Sequence, residues 1–215
     1  MKKSILKIVA IAAIGFAFVA CKNETKKAET SEAEAVKEVS VDSKFAVIAS
    51  ESMVIWKANK IVGGHEGTIN VKEGTANFTN NNLVGGTFTF DIASLKCTDI
   101  PKDNEGNAKL VKHLLNEDFF DVEKFSMAKF EITKVENETI SGNLTLKGIT
   151  KNVSFPAKVT MTDNDVSIST NTFTIDRTEF NINYNSGKVM DAAQLGDYLI
   201  RDDVELKLNI KAKKS

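Results

Sequence analysis

The strongest constraint on the fold of this chain is a run of alternating apolar and polar residues over positions 139–162. Apolar or small residues occupy every second position in two runs, Ile140, Gly142, Leu144 and Leu146 before a turn and Val153, Phe155, Ala157, Val159 and Met161 after it. A period of two residues is that of a β-strand with one buried and one hydrated face. We predict a β-hairpin that turns within residues 148–151, where Gly148 can adopt a positive φ. This hairpin requires a sheet whose apolar face borders an interior.

The same alternation recurs along most of the chain between residues 45 and 210. It predicts about nine to eleven strands, which do not alternate with helices as they would in a parallel α/β sheet. A length of 215 residues is sufficient for one domain with a large core. We therefore predict an all-β fold, either an antiparallel barrel or a sandwich.

Several local irregularities accompany these strands. We predict a turn at residues 73–74, a bulge or close backbone approach at residues 85–86, and a second bulge within residues 169–172. Residues 108–115 are apolar at helical spacing, which predicts a short amphipathic helix that ends before Phe119 and Phe120. A second short helix is predicted over residues 192–200. One or two short helices are thus expected to cap one end of the sheet.

The first 20 residues have the pattern of a signal peptide. Three Lys lie at positions 2, 3 and 7, and residues 8–19 form an apolar run that is shorter than the about 20 residues of a membrane-spanning helix. The sequence FVAC at residues 18–21 resembles a bacterial lipobox, so we expect Cys21 to be lipidated. An ordinary secreted protein and an uncleaved anchor are the alternatives. The expected location is the cell envelope, lipid-anchored on the periplasmic or outer-membrane and surface side.

Residues 21–43 differ in composition from the rest of the chain. They are mainly Glu, Lys, Ala, Thr and Ser, and such a stretch buries too little apolar surface to offset its conformational entropy. We predict that they form a flexible tether that begins with the lipidated Cys21, and that the folded domain spans residues 44–215. Cys97 would then be the only other cysteine, an ordinary buried thiol in a domain without a disulfide.

Composition and motifs also exclude or disfavour several functions. A net charge of -1 provides no basic excess for a nucleic-acid partner. There is no nucleophile elbow and no phosphate-binding loop, and nothing pairs a Ser or Cys with a nearby His, so we expect no catalytic residue. With two His in the chain we expect no metal site and no cofactor. The sequence indicates no particular protein partner.

Four motifs resemble those of the YceI-like family, which comprises secreted bacterial proteins. The most specific is GNLTLKGITKNVSFP at residues 142–156, which resembles the family's hairpin almost position for position. Supporting motifs are LLNEDFFD at residues 114–121, GTFTFD at residues 86–91 and IDRTEF at residues 175–180. The order and spacing of the four motifs make the resemblance strong. It implies a lipocalin-like β-barrel that binds a polyisoprenoid or related lipid in its lumen.

From the resemblance and the inward parity we expect the lumen to hold a long isoprenoid-type lipid, such as a quinone or a polyprenyl carrier. The ligand would enter past the first helix and the two adjacent Phe residues. His65 and Arg177 are candidates for polar contacts to a head group. The residues expected to line the lumen are Trp56, Phe88, Phe90, Leu114, Phe119, Phe120, Phe130, Leu144, Leu146, Phe155, Phe173 and Ile182.

Parity alone leaves other interpretations open, because it predicts which residues face inward but not whether they meet protein or ligand. The same residues would form a packed core if the protein were an envelope interaction or stress-response module with a solid barrel. A third possibility is a small-molecule enzyme that uses His65 or the pair of Asp176 and Arg177. For that pair, a structural ion pair at a strand end is the alternative.

Overall fold

The structure is a computed structural model that describes residues 25–215, so the signal peptide expected over residues 1–20 and Cys21 lie outside the described residues. The described chain forms one 13-stranded sheet with two short helices. The strands are β1 Lys26–Lys27, β2 Glu29–Glu32, β3 Ser43–Val47, β4 Met53–Asn59, β5 Gly64–Thr79, β6 Asn82–Cys97, β7 Met127–Glu136, β8 Thr139–Leu146, β9 Ile149–Pro156, β10 Lys158–Met161, β11 Asp165–Ser169, β12 Phe173–Asp176 and β13 Asp203–Lys214. The helices are α1 Glu105–Leu115 and α2 Ala192–Leu195.

The hairpin at residues 139–162 is confirmed as β8 and β9, but its turn differs from the prediction. Leu146 pairs directly with Ile149, so the turn consists of Lys147 and Gly148 alone. Their φ angles are 49° and 76°. Two consecutive residues with positive φ match the right-handed twist of the strands, which is why this short turn replaces the longer one that we predicted.

The predicted turn at residues 73–74 is wrong, because β5 runs through it as one strand of 16 residues. The pairing with β6 shifts between Val71 and Glu73, and this bulge reverses the parity in the same way as a turn would. The chain turns instead at Asn80 and Asn81, with φ of 50° and 62°. Asn tolerates this left-handed conformation better than most residues. The bulge predicted at residues 85–86 is confirmed by a second register shift.

The sheet closes into a barrel. β13 pairs with β4, and the ring continues through β5, β6, β7 and β8 to β9. Residues 26–32, which we call the closing segment, lie between β9 and β12: β2 pairs antiparallel with β9, and β1 pairs parallel with β12. β12 then pairs with β13 and completes the ring. At the other end of the barrel, β10 and β11 connect β9 to β13.

The closing segment corrects the prediction of a flexible tether over residues 21–43. Ala28 is buried, and its amide donates to the Thr174 carbonyl at 2.8 Å. Further along, the amide of Glu34 donates to the side-chain oxygen of Asn143 at 3.0 Å. Strand edges offer backbone partners to any sequence, so a polar segment can be ordered without burying much apolar surface. Composition could not reveal this.

The two ends of the barrel interior are filled differently. At the end that carries β3, β10 and β11, Phe45 and Phe78 are fully buried and pack edge to face with ring centroids 5.3 Å apart. We call this the solid half. The opposite end is covered by α1 and by residues 177–200, and we call it the lid end.

The remaining helical predictions are largely confirmed. α1 begins after Asn104, whose side chain caps the amide of Gly106 at 2.8 Å. The second predicted helix is α2 followed by one 3₁₀ turn, Gly196–Tyr198. The chain also breaks between β11 and β12 at residues 170–172, as the parity predicted. Within residues 25–215, none of the helices is long and apolar enough to cross a bilayer.

Candidate functional site

The half of the barrel nearest the lid encloses an apolar cavity of about 150 Å³. Its wall is built from inward-facing side chains of β4 to β9, β12 and β13, and only one charged side chain, Arg177, contributes to it. An apolar cavity of about this size excludes water and accepts apolar guests. The cavity is therefore the candidate ligand site of the described chain.

Eleven of the twelve residues that we expected to line the lumen do line this cavity. They are Trp56, Phe90, Leu114, Phe119, Phe120, Phe130, Leu144, Leu146, Phe155, Phe173 and Ile182. Their contact with a ligand stays a prediction.

Phe88 is the exception and requires a correction. It is buried, but it does not line the cavity. A Cβ atom placed on Gly74 would lie 2.9 Å from the Phe88 ring, and one on Gly86 would lie 3.4 Å from it. The ring thus occupies space left by two glycines, and it belongs to the packed core and not to the cavity wall.

Sequence reasoning overlooked several lining residues, among them Ile92, Leu206 and Leu208. Leu206 and Leu208 share the parity of the last strand, so the same alternation would have found them. Ile200 also lines the cavity, but it lies outside any long strand, and no signal in the sequence predicts its position.

Aromatic rings of the wall stack on one another or on glycines. Phe155 of β9 and Phe173 of β12 are parallel, with ring centroids 4.5 Å apart, and this stack lies at the position where the closing segment joins the two strands. A Cβ atom on Gly142 would come within 2.4 Å of the Phe130 ring. Gly142 therefore lets Phe130 lie flat against the sheet, which keeps the axis of the barrel open.

Two polar groups belong to this apolar wall. The indole nitrogen Nε1 of Trp56 is buried and has no hydrogen-bond partner within residues 25–215. An unpaired buried N–H costs free energy, about 1–3 kcal/mol, unless a ligand accepts its hydrogen bond. Trp56 is thus the residue of the cavity wall whose donor a ligand oxygen would satisfy.

Arg177 is the second polar group, and most of its donors are already used. It donates to the carbonyls of Ile182 at 2.6 Å, Ile200 at 3.0 Å and Arg201 at 3.2 Å, and to the carboxylate of Asp202 at 3.3 Å. Burial lowers the pKa of its guanidinium, and Asp202 opposes this shift. These bonds hold residues 182–202 against the barrel end, so the geometry favours a structural role over a head-group contact.

The sequence suggested an ion pair between Asp176 and Arg177, but the structure does not contain it. Its carboxylate pairs with Lys188 and, at 3.7 Å, with Lys27 of the closing segment. Burial alone would raise the pKa of Asp176, but hydrogen bonds from Lys188 and Thr178 outweigh it and lower the pKa. Asp176 and Arg177 therefore bind different partners, and each holds a segment of the chain against the lid end of the barrel.

The lid is a contact between α1 and residues 177–200. Tyr184 lies with its ring centroid 4.8 Å from that of His113 and 5.3 Å from that of Phe119. Lys147 joins the two sides by donating to the Glu117 carbonyl at 2.8 Å and the Asn181 carbonyl at 3.3 Å. Burial lowers the pKa of Lys147. These few contacts are what must separate for the cavity to open along its axis.

His65 does not line the cavity, and its contact with a ligand head group stays a prediction. Its Nδ1 is 2.9 Å from Asp99, which also accepts hydrogen bonds from the Glu66 amide at 3.0 Å and the Cys97 thiol at 3.1 Å. Burial alone would raise the pKa of Asp99, but these bonds outweigh it and lower the pKa to about 2. Burial and the bond to Asp99 raise the pKa of Cys97.

The donor atoms of His65, Cys97 and Asp99 lie within 4.8 Å of one another, a spacing that also suits a metal ion. In this structure two of the three hydrogen bonds to Asp99 come from the other two members of the cluster, His65 and Cys97, and the third comes from the Glu66 amide. The cluster therefore acts as a clasp that joins the start of β5 to the residues that follow β6.

The closed barrel with its apolar cavity is a lipocalin-like fold. The profile of the YceI-like domain family matches residues 45–212. The chain therefore belongs to the YceI-like domain family, as the four motifs indicated.

Curated relatives match only part of the chain. A UPF0312 protein of Yersinia enterocolitica is 39% identical over 90 residues, which cover 37% of this chain and 47% of that protein. A UPF0312 protein of Yersinia pestis is 38% identical over 90 residues, with the same coverage. The chain thus spans about half the length of the curated relatives it matches.

Two solved structures share the fold. Burkholderia cenocepacia BcnA superposes with a TM-score of 0.55 at 21% identity, covering 77% of this chain and 99% of that chain. A polyisoprenoid binding domain from Saccharophagus degradans, implicated in plant cell wall breakdown, has a TM-score of 0.56 at 12% identity and covers 80% and 98%. At these identities the similarity is one of fold.

Proposed function

We propose that this protein binds a long apolar isoprenoid-type lipid, such as a quinone or a polyprenyl carrier, in the barrel lumen and sequesters or transports it. The observation that carries the proposal is the apolar cavity, whose wall contains a single charged side chain. The family and the polyisoprenoid binding domain among the similar structures support the same class of ligand. The protein acts as a binding protein and not as an enzyme.

The cavity itself favours an occupant. An empty cavity of about 150 Å³ destabilises a protein by about 4 kcal/mol at about 24 cal/mol per Å³. A guest that fills it recovers this free energy, and each methylene group that leaves water adds about 0.8 kcal/mol. A long chain needs more space than the closed cavity offers. We therefore expect Phe119 and Tyr184 to separate when the ligand enters.

The alternative of a solid barrel without a ligand applies only to the solid half. In the half of the barrel that contains the cavity, which we call the hollow half, the wall side chains leave the axis open. An enzyme that uses His65 is not favoured either, because His65 lies outside the cavity and is engaged with Asp99.

The direct test is organic extraction of the purified protein followed by mass spectrometry. We expect a co-purified isoprenoid lipid at a stoichiometry approaching one per chain. Absence of any lipid in repeated preparations, together with no uptake of an added fluorescent prenol, would overturn the proposal.

A second experiment tests the polar end of the ligand. Trp56→Phe keeps an aromatic ring but removes the Nε1 donor. We expect it to weaken binding of a prenol or a quinone by about tenfold, because one hydrogen bond to a buried oxygen is lost. Binding of a hydrocarbon of the same length should not change. If the affinities for both ligands fall equally, Trp56 contributes to packing and does not recognise the ligand oxygen.

We further propose that Cys21 carries a lipid anchor and that the protein resides in the cell envelope, on the periplasmic or surface side. The support is the FVAC sequence at residues 18–21 and the apolar run before it. Mass spectrometry of the mature N-terminus should find an acylated Cys21. A mature N-terminus that carries no acyl group on Cys21 would contradict lipidation.

A further inference from the structure

Exposed apolar side chains concentrate at the lid end of the barrel. Nine large apolar side chains are exposed within residues 25–215, and six of them belong to the loops at this end. We call these six the apolar rim: Ile61, Val62, Tyr184, Val189, Met190 and Tyr198. Val62 and Tyr198 are exposed by 68% and 76%. Large apolar groups clustered on a surface usually mark a binding interface.

Backbone hydrogen bonds hold the rim loops together. The amide of Ile61 donates to the Leu199 carbonyl at 3.3 Å, and the amide of Ile200 donates to the Asn185 carbonyl at 2.9 Å. The turn between β4 and β5 and the two stretches around residues 185 and 199 therefore form one surface. The exposed rim residues belong to this surface, so they can contact the same partner at the same time.

The rim is continuous with the cavity. Ile200 lines the cavity wall and follows directly after the rim stretch that contains Tyr198. Tyr184 is both a rim residue and part of the lid, where it contacts Phe119. A partner that binds the rim therefore lies against the place where the cavity opens.

The closing segment limits how far the barrel can lie from an anchor. Lys26 pairs with Phe173 in the barrel wall, so only residues 22–25 separate Cys21 from the sheet. Five Cα–Cα steps span at most about 18 Å. A lipid on Cys21 would hold the barrel against the membrane, whereas a free tether of residues 21–43 would let it move far away.

The chemistry of the rim fits a lipid surface. Its four non-aromatic side chains lie in pairs on two loops, Ile61 with Val62 and Val189 with Met190, and such apolar pairs can insert between lipid head groups. Its two Tyr residues suit the boundary between hydrocarbon and water. Lys60 and Arg201 are balanced nearby by Asp191 and Asp197, so the charges do not single out an anionic partner.

We infer that the apolar rim docks on the lipid bilayer, so that the lumen exchanges its ligand directly with the membrane. This inference rests on the proposed function for the identity of the ligand, but docking itself does not depend on it. Because apolar insertion drives docking, it persists at high salt.

Insertion can be measured on the full chain in phosphatidylcholine vesicles. A Cys21→Ser, Cys97→Ser background has no other thiol and no site for a lipid anchor. In this background Val62→Cys carries an environment-sensitive fluorophore, and Met53→Cys provides the matched control at an exposed position far from the lid. We expect lipid-borne quenchers to quench the fluorophore at position 62 equally in low and high salt, and to leave the one at position 53 unaffected. A fluorophore at position 62 that is quenched no more than the control would overturn the inference.

Ligand exchange provides a second readout. The double variant Val62→Asp with Tyr198→Asp should take up a fluorescent prenol from vesicles at least tenfold more slowly than the wild type, and Met53→Asp should not differ from the wild type. Binding of the prenol delivered from detergent should be unchanged in all three proteins. Equal uptake by the rim variant would contradict docking, whereas a wild type that binds no prenol would refute the proposed ligand and leave the quenching result to decide docking.

Discussion

The solid half and the hollow half of the barrel obey the same parity rule but fill their interiors differently. In the solid half, Phe45 and Phe78 lie on the neighbouring strands β3 and β5 and are fully buried against each other. In the hollow half, Phe130 packs on Gly142, and Trp56 packs on Gly67, where a Cβ atom would be 2.7 Å from the indole. Large aromatic residues thus form a packed core in one half and the wall of a cavity in the other.

We expect the solid half to contribute mainly to stability and the hollow half mainly to ligand binding. The solid half contributes buried apolar area around Phe45 and Phe78, and it holds the strands in register. The hollow half gives up some of that stability to keep an apolar surface available. Substitutions in the two halves should therefore differ in what they change.

The largest contrast is expected for truncation of a phenylalanine. Phe78→Ala removes a fully buried ring from a close-packed site and should lower the free energy of unfolding by about 3–5 kcal/mol. Phe155→Ala should cost at least about 1 kcal/mol less, because the face of its ring toward the cavity has few contacts to lose. Urea unfolding of both variants without ligand measures the difference. Equal losses would mean that the cavity wall is as tightly packed as the solid half.

A second contrast uses the closing segment. Ala28 is its only buried side chain, so Ala28→Asp places a carboxylate in the wall and should lower the free energy of unfolding by about 1–3 kcal/mol. Ser31→Asp is the matched control, because it adds the same charge to an exposed position of the segment. Thermal unfolding of both variants checks this. If Ala28→Asp is as stable as the control, the ring does not depend on the segment.

Enlarging a side chain should have opposite effects in the two halves. Leu206→Phe extends into the cavity and should stabilise the ligand-free protein by about 0.5–2 kcal/mol while reducing lipid uptake. Ala76→Leu enlarges a fully buried residue of the solid half and should destabilise the protein by about 1–3 kcal/mol. Unfolding and prenol binding measured on the same preparations test both. If the Leu206→Phe protein is stabilised but still binds lipid, the ligand binds outside the cavity.

The smallest expected effect concerns pH and the clasp beside the hollow half. The pKa of Asp99 is about 2 in the folded protein and 3.8 ordinarily, so its ionised form stabilises the fold above about pH 4. This contribution is lost as the pH falls from about 4 to 2. The stability difference between the wild type and Asp99→Asn should therefore be constant above pH 5 and shrink toward pH 2. A difference that does not change over this range would show that the clasp is not ionic.

Much of the fold could be predicted because the chain alternates so regularly. The hairpin of β8 and β9, the helix α1 and most of the cavity wall followed from parity and helical spacing, since these patterns report directly which face is buried. Errors occurred where one local pattern has two structural causes. The bulge in β5 mimicked a turn, because both reverse parity.

The candidate site was less predictable at its polar positions. His65 and Arg177 were candidates because of their chemistry, but the structure commits both to other protein groups, Asp99 and three carbonyls. Partners that are distant in the sequence decide such roles. The unpaired donor of Trp56 likewise depends on what surrounds the indole.

The sequence by itself determined the all-β class, the inward residues and the family, since alternation and the four motifs are local properties of the chain. Only the tertiary structure decided which inward residues pack together and which enclose space, because that depends on what each side chain meets across the barrel. It also decided that residues 26–32 close the ring. Backbone pairing with two strand edges orders that polar segment, and composition carries no information about a distant edge.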